Sequence, residues 1–236
     1  MALRNSVLYL VLATAAIAAS GCSRTLVAAL PVGTTTTCDP AWPGRWSAIP
    51  SEDTKGKHDK KVWLEINADC SVMTSIEDHG KREREDHRLT LVSTRAGDFL
   101  RISDGDGKPE CIGDGTAHCG MELMRYVHDG NEIRLYNPDH GAVHAAIADG
   151  RVPGYSEADG PKAKVVSATD TTAAPTELAN SRETPATSSD KTHFNNLIAG
   201  DPEQITTILE QHPEFFESVP WITLKRDTHP NRAKHR

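Results

Sequence analysis

The sequence predicts a mainly β fold, an antiparallel meander forming a barrel or strongly curved sheet, with one C-terminal α-helix and a final short strand. Three observations predict it. Apolar and polar residues alternate in short runs, as they do in strands that bury one face. Turn-forming residues separate those runs every 8 to 14 residues or so, the spacing of a meander. Near the C-terminus one segment instead carries helix-capping residues followed by an apolar stripe.

The elements follow in order. Residues 1–21 read as an export signal: Arg4, an apolar run from Val7 to Ala19, then the small residues Ser20 and Gly21 before Cys22. That run falls short of the roughly 20 apolar residues a spanning helix needs. Residues 22–37 are rich in Thr, Ala and Val and close in Thr34 to Thr37, a composition suited to a flexible tether. Residues 38–166 form the antiparallel β domain. There Val62, Leu64 and Ile66 share a face, and Leu89 with Leu91, Leu100 with Ile102, Met121 with Leu123, Ile133 with Leu135, and Ala145 with Ile147 repeat the pattern. Asp129-Gly130 and Asp149-Gly150 are hairpin signals, because glycine readily takes the positive φ of a type I′ turn. Ala68-Asp69 and Ala96-Gly97 are weaker ones, and the charged run Lys81 to Arg88 reads as a solvated hairpin end.

Residues 167–192 carry Ser, Thr, Ala and Pro without an aromatic side chain, too little apolar surface to offset the entropy of ordering, and read as a disordered loop. Residues 193–226 then complete the domain as strand, helix and strand. Asn195 to Ala199 suits the first strand. Asp201, Pro202 and Gln204 suit a helix N-terminus with a capping box, and Ile205, Ile208 and Leu209 give the helix its apolar stripe. Trp221 to Leu224 suits the last strand, and residues 227–236 are a basic tail.

Besides Cys22 there are four cysteines, Cys38, Cys70, Cys111 and Cys119, an even number in a chain bound for an oxidising compartment. Two disulfides are expected. Of three pairings, Cys38 with Cys70 and Cys111 with Cys119 is favoured, the first tying the chain's entry to a β-turn and the second clipping a Gly-rich loop. Cys111, His118 and Cys119 match no zinc spacing. Without residues 1–21 the chain carries 25 Lys and Arg against 33 Asp and Glu, a formal charge of about −8, which argues against nucleic acid as a partner.

Ala19-Ser20-Gly21-Cys22 resembles the lipobox of bacterial lipoproteins. The resemblance implies cleavage before Cys22, lipid on its sulfur and amine, and durable membrane attachment through several acyl chains. With Ser23 rather than aspartate next, it implies the outer membrane, facing the periplasm. Gly44-Arg45-Trp46 at the first strand of the meander, with a helix and one more strand after the meander, resembles the lipocalin or calycin arrangement, in which the tryptophan of a Gly-x-Trp motif closes the base of a barrel. The stretch Ile208 to Phe216 is also similar to uncharacterised envelope lipoproteins of gammaproteobacteria.

No catalytic, metal or cofactor motif emerges. His140 and His144 with Asp139 would suit a metal if helical, but the segment reads as a turn entering a strand, where residues four apart lie about 13 Å from one another. Asp104 to Lys108 lacks the ligand spacing of a calcium loop, and Gly154-Tyr155-Ser156-Glu157-Ala158 lacks the second glycine of a nucleophile elbow. The expectation is a lipid-anchored envelope protein without enzymatic activity and without cofactor. Its partners are the membrane through Cys22 and a small apolar ligand or an envelope protein. In a carrier, Trp46 and Trp63 would contact the ligand at a barrel end. The alternative is a filled barrel serving protein interaction or envelope support.

Overall fold

The computed structural model describes residues 23–36, 38–51, 61–78, 81–103, 108–112, 117–159, 166–167 and 192–227. The chain starts with β1 (Arg24–Val27) and β2 (Thr34–Thr36), then winds through β3 (Gly44–Pro50), β4 (Lys61–Ile66), β5 (Ser71–Asp78), β6 (Lys81–Thr94) and β7 (Gly97–Ser103). Two short strands follow, β8 (Glu110–Cys111) and β9 (Cys119–Glu122), and then the hairpin of β10 (Met124–Asp129) and β11 (Glu132–Tyr136). Helix α1 (His140–Ala148) precedes β12 (Gly154–Asp159), β13 (Val166–Ser167) and β14 (His193–Ile198). Helix α2 (Pro202–Gln211), a 3-10 turn at Pro213–Phe215 and β15 (Ile222–Arg226) complete the described chain.

Eight of these strands close an antiparallel barrel. From β3 to β7 each strand pairs with the next; β7 pairs with β10, β10 with β11, β11 with β15, and β15 returns to β3 with Leu224 opposite Ala48. The long β6 pairs Ser71 of β5 with Arg88 on one side, followed there by β2 with Thr36 opposite Leu91, and Arg88 with Ser103 of β7 on the other. The charged run from Lys81 is therefore paired strand. Alternation points Trp46, Ile66, Val72, Leu89, Leu91, Leu100, Ile133 and Leu224 into the barrel, where they form one continuous core. The disulfides are Cys38–Cys70 and Cys111–Cys119. By loop entropy they contribute about 3 to 4 and 2 to 3 kcal/mol.

Beside the barrel lies a six-stranded sheet in the order β13-β12-β14-β1-β9-β8, antiparallel except for the parallel pair β1 and β14. Helices α1 and α2 bury Val143, Ala146, Ile147, Ile205 and Leu209 together with Val27 and Ile198 of the sheet. The barrel's outer wall joins this second core through Phe99, whose ring lies 5.5 Å from that of Phe216. The capping box of α2 is formed, Asp201 accepting from the Gln204 amide and Gln204 accepting from that of Asp201, both at 2.9 Å.

Four expectations are corrected. The segment containing Ala145 and Ile147 is helix α1, so a second helix joins the C-terminal one; Asp139 caps it by accepting from the Ala142 amide, and its buried residues fall at Val143, Ala146 and Ile147. Asp149-Gly150 ends that helix instead of turning a hairpin. Gly150 has φ +69°, and the Gly150 and Arg151 amides donate to the Ile147 and Ala146 carbonyls, a Schellman closure. Of residues 22–37, assigned to a tether, 24–27 form a sheet strand whose Thr25, Leu26 and Val27 are buried, and Thr34–Thr36 form a strand paired with β6, Thr35 opposite Val92. Ser167, assigned to the disordered loop, pairs with Tyr155. The signal segment with Cys22, the calcium-like Asp104 to Gly107, residues 168–191 and the tail from 228 lie outside the described residues.

Candidate functional site in the barrel

The barrel has one plugged end. Gly44 opens β3 at φ +136°, and a Cβ there would lie 2.8 Å from the Arg226 guanidinium, so the close approach needs glycine. Two residues on, Trp46 is fully buried and its indole N–H donates to the Trp42 carbonyl at 2.8 Å. Arg226, the last residue of β15 and the register partner of Trp46, lies over that ring with its guanidinium carbon 4.3 Å from the centroid. It donates to the Pro43 carbonyl at 2.9 Å and also to the Ala41 carbonyl. The half-buried cation is thus satisfied by backbone oxygens and an aromatic face, and it ties the last strand to the turn that precedes the first barrel strand.

Above the plug, Trp42 meets Tyr126 edge to face at 5.1 Å, and burial pushes the Tyr126 hydroxyl up to about 12. Between Trp42 and the far rim at Trp221 a cavity of about 90 Å³ remains, walled by Leu64, Val72, His87, Leu100, Leu135 and Ile222 among others. It is well below the roughly 300 to 1,000 Å³ of pockets that enclose drug-sized ligands. The indole N–H of Trp42 is buried without a hydrogen-bond partner among the described residues.

The structure separates the two tryptophans singled out in the sequence. Trp46 belongs to the interior. Trp63 does not: Val62 and Leu64 point inward, so Trp63 stands on the outer wall, with the Arg45 guanidinium 5.2 Å from its ring. The interior tryptophan that borders the cavity is Trp42, which sequence reasoning missed because it precedes the first barrel strand and belongs to no alternating run.

No protein-family model, no curated protein and no solved structure matches the chain.

A second constellation lies in the flanking sheet. Asn196 is fully buried at the centre of β14, and its amide nitrogen donates to the His140 carbonyl at 2.9 Å and to the Thr25 hydroxyl at 3.1 Å. The carbonyl contact fixes the orientation of the amide. Its oxygen therefore faces Ser156, which donates to it at 2.5 Å and accepts from His144 Nδ1 at 2.6 Å. Thr25 in turn directs its proton to His140 Nδ1 at 2.8 Å. His140 is held neutral, its pKa lowered to about 4 by burial, and burial lowers that of His144 as well.

Being on α1, the two histidines share a helix face, as metal ligands four residues apart would, but each Nδ1 is engaged by a hydroxyl. Among the described residues no three His, Cys, Asp or Glu side chains gather to hold a metal ion. Nor is Ser156 arranged as a nucleophile: it is fully buried, its proton is committed to Asn196, and the adjacent imidazole donates to it rather than accepting. The network joins α1, β1, β12 and β14. On the other flank of β1, burial and the nearby Glu110 push Glu122 up to about 7, while Arg24 opposes the shift and pairs with Glu110.

Proposed function

We propose that this chain is an exported lipoprotein, anchored through Cys22 at the periplasmic face of the outer membrane, whose barrel is a packed support for interactions in the envelope rather than a carrier. The observation that carries the choice between support and carrier is the interior. Among the described residues, Trp42, Trp46, Tyr126 and the aliphatic side chains pack the interior around a cavity of about 90 Å³, room for a few waters or one small ring and well short of the roughly 300 to 1,000 Å³ of pockets that enclose drug-sized ligands. The anchor rests on the lipobox-like Ala19-Ser20-Gly21-Cys22, and the two disulfides suit an oxidising compartment. The resemblance to lipocalins draws support from the buried position of Trp46 at a barrel end, with Gly44 beside the Arg226 plug.

Native mass spectrometry of the oxidised chain from Ser23 onward, exported behind a cleavable signal and purified without detergent, tests this reading. The expected result is the unliganded mass, lighter by four hydrogens than the reduced chain, as two disulfides require. A co-purifying species of reproducible mass would overturn the filled barrel. One observation favours that second reading, a carrier for a compact apolar compound with a single acceptor: the unpartnered Trp42 N–H beside the cavity.

A further inference from the structure

The lipid-anchor reading, on which this inference rests, acquires a geometric consequence from β1. Strand β1 lies almost at the modified residue. Ser23, the residue after Cys22, accepts a hydrogen bond at 2.9 Å from the Phe194 amide, and Arg24 is already in register with Asn195. Thr25 and Leu26 are buried, β1 is flanked by β14 and β9, and Arg24 is ion-paired with Glu110. Such a central strand cannot peel away to lengthen the connection without opening the sheet.

Two residues of extended chain reach about 7 Å. The polar layer of one leaflet is of similar thickness, about 5 to 8 Å, given a hydrocarbon core of about 30 Å within a bilayer of about 40 to 45 Å. We infer that the face of the protein around Ser23, formed by the parallel starts of β1 and β14, is held against the phospholipid head groups, so that the anchor fixes the orientation of the whole fold at the membrane. Because β1 and β14 run parallel with Arg24 opposite Asn195, Phe194 lies level with Ser23, and with His193 one residue before it belongs to that face. The ring of His144 packs on Phe194 at 4.7 Å and brings one side of α1 to it. The occupant of this face is the bilayer surface, and what fixes it there is the shortness of the link.

The test uses the full chain, exported and lipidated by its own host and reconstituted in phosphatidylethanolamine and phosphatidylglycerol vesicles that contain a head-group nitroxide lipid. A fluorophore is placed on the exposed Thr192 through Thr192→Cys, two residues from Phe194. A second form carries about twenty extra Gly and Ser residues, beginning with serine, between Cys22 and Ser23, which add a root-mean-square reach of about 25 Å. Quenching in the natural-length chain is expected to exceed that of the lengthened chain by about threefold or more. Equal quenching in the two, or none in either, with diacylglycerol present on Cys22 by intact mass, would overturn this inference and leave the anchor reading standing. An intact mass without lipid would overturn both.

Discussion

The barrel and the sheet beside it are held together in opposite ways. In the barrel, β3 to β7 follow one another as hairpins, and the interior is aliphatic and aromatic, with Arg226 satisfied at the base. In the flanking sheet, β1 pairs with a strand some 170 residues later, and the centre is a chain of hydrogen bonds through Thr25, Asn196, Ser156 and two histidines. Apolar packing tolerates small shifts, whereas a buried polar network is stabilising only when every member is satisfied. The barrel therefore supplies bulk stability, and the sheet makes the position of β1 specific.

The largest effect expected is at the barrel's base. Trp46→Ala removes a fully buried indole, its bond to the Trp42 carbonyl and the surface on which Arg226 lies, and should cost about 3 to 5 kcal/mol. Urea unfolding should show the loss in both regions at once, since the barrel wall is part of the second core. If the flanking sheet kept its full stability, the two regions would be independent folding units. Asn196→Ala comes next, at about 2 to 3 kcal/mol, because it takes one hydrogen-bond partner each from the His140 carbonyl and from the Thr25 and Ser156 hydroxyls, which keep only their histidine contacts. Hydrogen exchange should then rise in β1 and β14 while amides of β4 and β11 keep their protection; uniform acceleration would refute the division.

The same contrast explains what could be read from the residues. The barrel strands were legible because each depends on its neighbour in sequence: Val62, Leu64 and Ile66 alternate, and Asp129-Gly130 turns the β10–β11 hairpin with φ +58° at the glycine. Asp201, Pro202 and Gln204 marked α2 for the same local reason. Helix α1 was misread because Ala145 and Ile147 imitate alternation over a short run, although Asp139 before it and Val143, Ala146 and Ile147 within it carry the helical spacing. Strand β1 left no comparable local signal, since its partner lies near the other end of the chain. At the site, Gly44 and Trp46 were legible as a short motif. Arg226 was not, because an arginine near a basic tail looks like any solvated charge until closure of the barrel sets it over Trp46.

The smallest and most discriminating effects concern pH, because β1 is flanked by two displaced titrations of opposite sign. His140 is lowered to about 4 from 6.5, so its contribution is complete above pH 6.5 and is lost as pH falls toward 4. Glu122 is raised to about 7 from 4.5, so its contribution is complete below pH 4.5 and is lost as pH rises toward 7. Each is worth on the order of 2 kcal/mol after allowance for partial exposure. Between pH 4.5 and 6.5 the two slopes oppose each other, and the parent's urea midpoint should vary little from these groups. Glu122→Gln should expose the histidine, giving a midpoint that falls on acidification, and His140→Gln should expose the carboxylate, giving one that falls as pH rises. Parallel pH profiles in the two variants would mean that neither group is displaced as its surroundings require, and that the flank of β1 is open to water.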